Sequence, residues 1–214
     1  MQSIQLTLDL FGAVPFPAAV PNLPHSSTNN RQQNPLVAVG EEIARMLASR
    51  SPITSANFSK LMSCQFDGTD AQGRWSWKDA YEALEVGLVL YLRQHGKDLL
   101  AGDSEALLQA DRHQALQWLS ELQAKLPTHT RRSEDSYLYQ QFSTPLPMGY
   151  AVSRAAQLRS GDTVLEPSAG NGLLAIFAEL AGARIILNEI HGGRRRNLRE
   201  LFPDITPKSV LSCS

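Results

Sequence analysis

The feature that most limits what this chain can fold into is the run Thr163-Val164-Leu165-Glu166-Pro167-Ser168-Ala169-Gly170-Asn171-Gly172. A short apolar strand, launched by a Gly161-Asp162 turn, enters a loop with two glycines, and the helical run Leu173 to Leu180 follows. Gly182 breaks that run, Arg184-Ile185-Ile186-Leu187-Asn188 reads as a second strand, and Arg194 to Phe202 as another helix. Strand, helix, strand, helix at this spacing predicts a parallel βαβ unit. Such sheets carry ligands at the C-terminal edge of their strands. Gly170 and Gly172 lack a Cβ and let a ligand approach the backbone. The N–H groups opening the following helix would favour a carboxylate or phosphate. Glu189 ends the second strand, 17 residues after Gly172. A carboxylate there can accept from both hydroxyls of a ribose, so the pattern points to a nucleoside-cofactor site.

A dinucleotide fingerprint, Gly-x-Gly-x-x-Gly, would place Ala175 at its third position, a residue that pattern tolerates. An acidic residue opening the loop, Glu166, fits it less well. The stretch Glu166 to Gly172 resembles motif I of class I S-adenosylmethionine-dependent methyltransferases, in the branch that methylates N6 of adenine in DNA. Gln140-Gln141-Phe142-Ser143-Thr144-Pro145 resembles motif X of that branch, and Asn188-Glu189-Ile190 its motif II. More narrowly, residues 140–203 are similar to the methyltransferase region fused to a helicase in phage and plasmid antirestriction proteins of the strawberry-notch-like group. The likeness covers about 65 residues, under a third of the chain. A βαβ unit with a tight glycine turn and no ligand shares the local pattern of motif I. Motif X and Glu189, both in register, separate the two.

The resemblance implies S-adenosylmethionine as cofactor and DNA as the partner of the full-length enzyme. Thr144 and Pro145 would contact the methionine moiety, Glu166, Ser168, Gly170 and Gly172 would line the pocket, and Glu189 would hold the ribose. It also implies an α/β fold class: an N-terminal helical domain followed by the first βαβα part of a Rossmann-like methyltransferase fold, with the sheet incomplete. One element of the family is missing. Its Asn/Asp-Pro-Pro-Tyr/Phe motif, which grips an extruded base, has no counterpart. The nearest tetrapeptide, Asn34-Pro35-Leu36-Val37, lacks the second proline and the aromatic and precedes motif I. Only two strands are clearly encoded, and Pro207 would interrupt a third. The expectation is the N-terminal portion of a larger enzyme, inactive alone, with no catalytic residue assigned and with a helicase domain or second chain completing the fold. The first strand would be left as an edge.

Upstream, residues 36–141 read as a helical domain. Leu36, Val39, Ile43 and Leu47 recur at helical spacing. A short helix is expected over Ser55 to Ser63. Ser76 caps a longer one, with Asp79 three residues on and an apolar stripe of Trp77, Ala80, Tyr81, Leu84, Leu88 and Leu92, stopping at Gly96. A further helix runs from about Ser104 to Lys125 and stops at Pro127. Residues 12–35, rich in proline and then polar throughout, read as a flexible linker, and 204–214 as an irregular tail. Within residues 1–11, Gln5, Leu8, Leu10 and Phe11 resemble the sliding-clamp-binding peptide of bacterial replication and repair proteins. The plainer reading of that segment is an alternating strand of Ile4, Leu6, Leu8 and Leu10.

Composition narrows the partners. Twenty basic against 21 acidic residues leave a net charge of -1, so nucleic acid would need a local basic patch. The cluster Arg194-Arg195-Arg196 with Arg199 reads first as a solvated helix face and second as a phosphate contact. Trp75 and Trp77 read as core more than as base-stacking platforms. Two distant cysteines, Cys64 and Cys213, argue against a disulfide scaffold, and neither they nor His25, His95, His113, His129 and His191 have metal-site spacing. No leader signal and no apolar run of membrane-spanning length is visible, so a cytoplasmic location without membrane association is expected. The rival to a methyltransferase portion is a non-catalytic interaction module that contacts DNA, a sliding clamp or a sister subunit. A nicotinamide-linked enzyme is a distant third.

Overall fold

The computed structural model describes residues 34–97, 108–127 and 143–207. The clamp-like residues Gln5, Leu8, Leu10 and Phe11, nearly all of the linker, and Gln140 to Phe142 lie outside them. The architecture is mixed helical with a small parallel sheet, compatible with the α/β class.

Local sequence explains most element boundaries. Helix α1 (Pro35–Ala48) starts with Pro35 at its first turn, where no N–H is needed, and the Asn34 side chain accepts the Leu36 N–H at 3.1 Å. The two residues expected to end the linker therefore open a helix, which also accounts for the Asn34-Pro35 pair. Thr54 caps α2 (Ser55–Gln65). A short 3-10 turn, Asp70–Gln72, leads to α3 (Trp77–His95), where Ser76 and Asp79 form a reciprocal capping box. Next come α4 (Leu108–Ala124) and α5 (Leu146–Ala155), the latter not anticipated from the sequence. Strand β1 (Thr163–Glu166), α6 (Ala175–Leu180), β2 (Arg184–Leu187) and α7 (Gly192–Leu201) complete the order.

The two strands are parallel, with Leu165 opposite Ile186 and Glu166 opposite Leu187. The ladder extends one step at each end through Arg184 N–H to Asp162 O at 2.8 Å and Asn188 N–H to Glu166 O at 2.9 Å. Ile185 and Leu187 are buried, whereas Leu165, on the opposite side of the pleat, is 62% exposed. Among the described residues β1 pairs only with β2.

Helix α3 differs from the amphipathic helix expected. Every residue from Ala80 to Val89 is buried, so it is enclosed on all sides. Helices α1, α6 and α7 pack directly on it, while α4 packs on α5 and α5 on α6. The parts distinguished on sequence as residues 36–141 and 142–203 thus share one core, which runs from Ile43, Phe58 and Met62 through Leu84 and Leu92 to Phe177, Leu187 and Leu198. Each such fully buried side chain contributes roughly 1.5–3 kcal/mol through removal from water. Arg93 near the end of α3 binds Glu179 of α6 with both Nε (2.5 Å) and Nη2 (2.7 Å) and lies 4.9 Å above the Phe202 ring. Trp75 is buried, its indole N–H donating to Gly68 O at 3.0 Å, and Trp77 meets it edge-on at 5.6 Å. Both are packing residues. No helix among the described residues is long and apolar enough to cross a membrane.

The α1–α3 crossing depends on the absence of a side chain at Gly87, where a Cβ would lie 2.6 Å from Ile43 Cγ2 and 3.0 Å from Gly40 O. Overpacking costs on the order of 1–3 kcal/mol, and the backbone oxygen cannot move aside cheaply. Gly87→Val is expected to destabilise the protein by about 3 kcal/mol, read as a lower urea midpoint at unchanged m.

Candidate functional site

The loop between β1 and α6 is held by the end of β2. Proline at 167 has no N–H and ends the β1 ladder. The Glu166 carboxylate accepts the Ser168 N–H at 3.2 Å. Asn188, next in line after β2, then grips the loop twice: its side-chain amide donates to Pro167 O at 2.8 Å, and its carbonyl accepts the Ala169 N–H at 2.9 Å. Gly170 has φ +56°, and its N–H donates to Glu189 Oε2 at 2.8 Å. The other Glu189 oxygen accepts the His191 N–H at 2.6 Å, and Arg195 binds the carbonyls of Glu189 (2.9 Å) and Ile190 (2.6 Å). Glu189 is buried, so these bonds replace the water it loses.

The two loop glycines have different reasons to be glycine. A side chain at Gly170 would make an ordinary van der Waals contact with Arg194 Nη1 at 3.8 Å, so its positive φ, not crowding, calls for glycine there. At Gly172, with φ +92°, a Cβ would lie 2.5 Å from the Phe202 ring, so this residue is packed on the core. That φ also keeps Gly172 out of a helix. The helix expected from Leu173 begins at Ala175 and has only six residues. The loop N–H groups of Ser168 and Gly170 donate to the protein's own carboxylates, Glu166 and Glu189. Thr144 is half-buried and Pro145 is exposed at the start of α5. The structure thus brings Gly170 and Glu189 into direct contact, joins Glu166 to Ser168, and turns Gly172 inward.

Beneath the loop lies a buried polar network that the sequence reading missed. Glu82 and Glu85 project from α3, one turn apart, and both are buried. Arg194 of α7 donates to Glu82 Oε1 at 3.1 Å, with both side chains at least nine-tenths covered. The solvated face expected for the arginine cluster therefore holds for Arg196 and Arg199 but not for Arg194. Asn171, 2% exposed, donates to Glu85 Oε2 at 2.7 Å and accepts from Asn197 at 2.9 Å. Asn197 in turn accepts from Asn34 at 2.7 Å. Ser143 also bonds to Glu85. A signal for Glu85 was present: it falls four residues after Tyr81 and three before Leu88, inside the apolar stripe of α3.

Burial raises the Glu82 carboxyl above its ordinary value, with Arg194 only partly opposing it. Burial pushes Glu85 to about 7, again against Arg194. One guanidinium is shared by two buried carboxylates. A carboxyl raised in the folded state stabilises fully below its unfolded value near 4.5 and loses that contribution as pH rises through its folded value. Arg194→Met is therefore expected to cost about 3–5 kcal/mol at pH 8, where unpaired buried charge remains, and less at pH 5, where Glu85 carries its proton. Urea melts at the two pH values measure this difference.

Among the described residues no cluster of three or more His, Cys, Asp or Glu side chains is placed to hold a metal ion. No family model, no curated protein and no solved structure matches the chain.

Proposed function

We propose that this chain is the S-adenosylmethionine-binding portion of a DNA adenine-N6 methyltransferase, incomplete and inactive by itself, of the kind found in the antirestriction methyltransferase-helicase group. The observation that carries this reading is Glu189, at the end of the strand next to β1, with its carboxylate fixed against the N–H of Gly170. Each Glu189 oxygen accepts one backbone N–H and keeps a lone pair for a ribose hydroxyl. A carboxylate so placed fits the two hydroxyls of an adenosyl ribose.

In this reading Glu189 orients the ribose, Glu166 and Ser168 set the shape of the loop beside it, and Thr144 and Pro145 border the methionine end. The cofactor, when bound, supplies a sulfonium methyl group for transfer to an exocyclic amine. The chain's own residues bind and orient; positioning of this kind accounts for a large share of the barrier in bimolecular group transfer. The target-base motif is absent from the sequence, so DNA recognition and the proton on the amine fall to a second chain or a helicase-linked domain.

Isothermal titration of the chain with S-adenosylmethionine tests the reading. Wild type is expected to bind saturably. Glu189→Ala is expected to weaken binding at least about 100-fold, the loss of two hydrogen bonds to a charged acceptor, with its circular dichroism unchanged. A folded wild-type protein that binds nothing at millimolar cofactor overturns it.

One observation favours a second reading, a non-catalytic interaction module. Among the described residues β1 pairs only with β2, and Thr163–Glu166 carries no proline or lysine to protect its other edge. Such an edge recruits another strand, from a sister subunit or a partner. Methyl transfer by the chain alone would defeat this alternative.

A further inference from the structure

The segment Ser143–Pro145 and the loop Gly170–Gly172 come from distant parts of the sequence, and both are bonded to one side chain of α3. Ser143 Oγ donates to Glu85 Oε1, and the Asn171 amide donates to Glu85 Oε2 at 2.7 Å. Asn171 stands between the two loop glycines, and its oxygen is held by Asn197, which is itself held by Asn34. The loop cannot shift outward without breaking the Asn171–Glu85 bond.

Resting on the cofactor reading above, we propose that Glu85 is a positioning residue that holds the two walls of the pocket together, and that its charge state sets how tightly the pocket closes on S-adenosylmethionine. Glu85 bonds to Ser143 and Asn171 and to neither Gly170 nor Glu189, so it acts through those two residues.

Burial pushes the Glu85 carboxyl to about 7; Arg194 of α7 and the Asn171 amide oppose the rise, while Glu82 on the same helix and Glu189 at the end of β2 add to it. Lys78 and Asp79 act one turn away, on Glu82. Further along α3, Arg93 and Glu179 of α6 neutralise each other. With its proton, Glu85 donates to Ser143 Oγ through one oxygen and accepts from Asn171 through the other. Without it, a buried negative charge at Glu85 adds to those of Glu82 and Glu189, and Arg194, already bonded to Glu82, offsets it only in part. Hydrating that charge requires water between the walls, which then part. The stabilising contribution is full below about 4.5 and fades as pH rises through 7.

Hydrogen exchange of the full chain at pH 6 and pH 8, corrected for intrinsic rates, reads the walls without any ligand. In wild type, residues 143–150 and 168–173 are expected to exchange about tenfold faster at pH 8 than at pH 6, the change in ionisation of a group near 7. Glu85→Gln keeps both contacts without a charge, so protection should persist and the pH difference vanish. Glu85→Ala should expose both segments at both pH values. Titration with S-adenosylmethionine should show the same pattern, about tenfold weaker at pH 8 in wild type and equal at the two pH values in Glu85→Gln. A pH difference retained in Glu85→Gln, or both walls still protected in Glu85→Ala, overturns the proposal. Should Glu85→Ala fail to fold, Glu85→Gln alone decides. Absence of cofactor binding by folded wild type would sink the cofactor reading, while the exchange data would still decide whether Glu85 holds the walls.

Discussion

The structure depends on the complete enclosure of α3. From Ala80 to Val89 no residue of this helix keeps a solvent face, yet two of them are glutamates. A buried carboxylate without partners is too costly to persist, so the surrounding elements must answer Glu82 and Glu85. Arg194 comes from α7, Asn171 from the β1–α6 loop and Ser143 from the segment before α5. Ser143 and Asn171 lie within the two stretches, 140–145 and 166–172, on which the sequence-based expectation of a site rests. The polar network therefore does what apolar packing alone would do less specifically: it fixes the register of the α/β elements on the helical ones.

The second constraint is the sheet. Two parallel strands are too few to stand alone, and parallel sheets usually have both faces covered. Here α6 and β2 pack together, the side bearing Ile185 and Leu187 is covered, and the other side presents Leu165. The C-terminal end of the sheet is nevertheless well ordered by bonds, because Asn188 and Glu189 tie the end of β2 to the loop leaving β1. A site can thus be shaped locally where, among the described residues, the sheet that carries it has only two strands.

Much of the element pattern was legible in the sequence because it rests on local rules. The Ser76–Asp79 box, the Gly182 break and the alternation of short apolar runs with helical ones act over a few residues, and the structure has elements where they indicate. The start of α1 at Asn34–Pro35 was legible in principle, since a capping residue before proline is a helix signal, but the polar run before it masked the boundary. The late start of α6 was less so. Nor was the packing of Gly172 on Phe202, a residue 30 positions further along.

By itself the sequence determined the candidate site's ingredients: a strand, a loop with Gly170, a second strand ending in Glu189, and the order in which they occur. Spacing along the chain is enough for that, because a βαβ unit is built from neighbours. Only the tertiary structure decided that Gly172 faces the core, that Arg194 is buried rather than solvated, and that Glu85 reaches both Ser143 and Asn171. Those outcomes turn on which residues meet across long separations, and on burial, which converts an ordinary helical glutamate into one that shapes its surroundings.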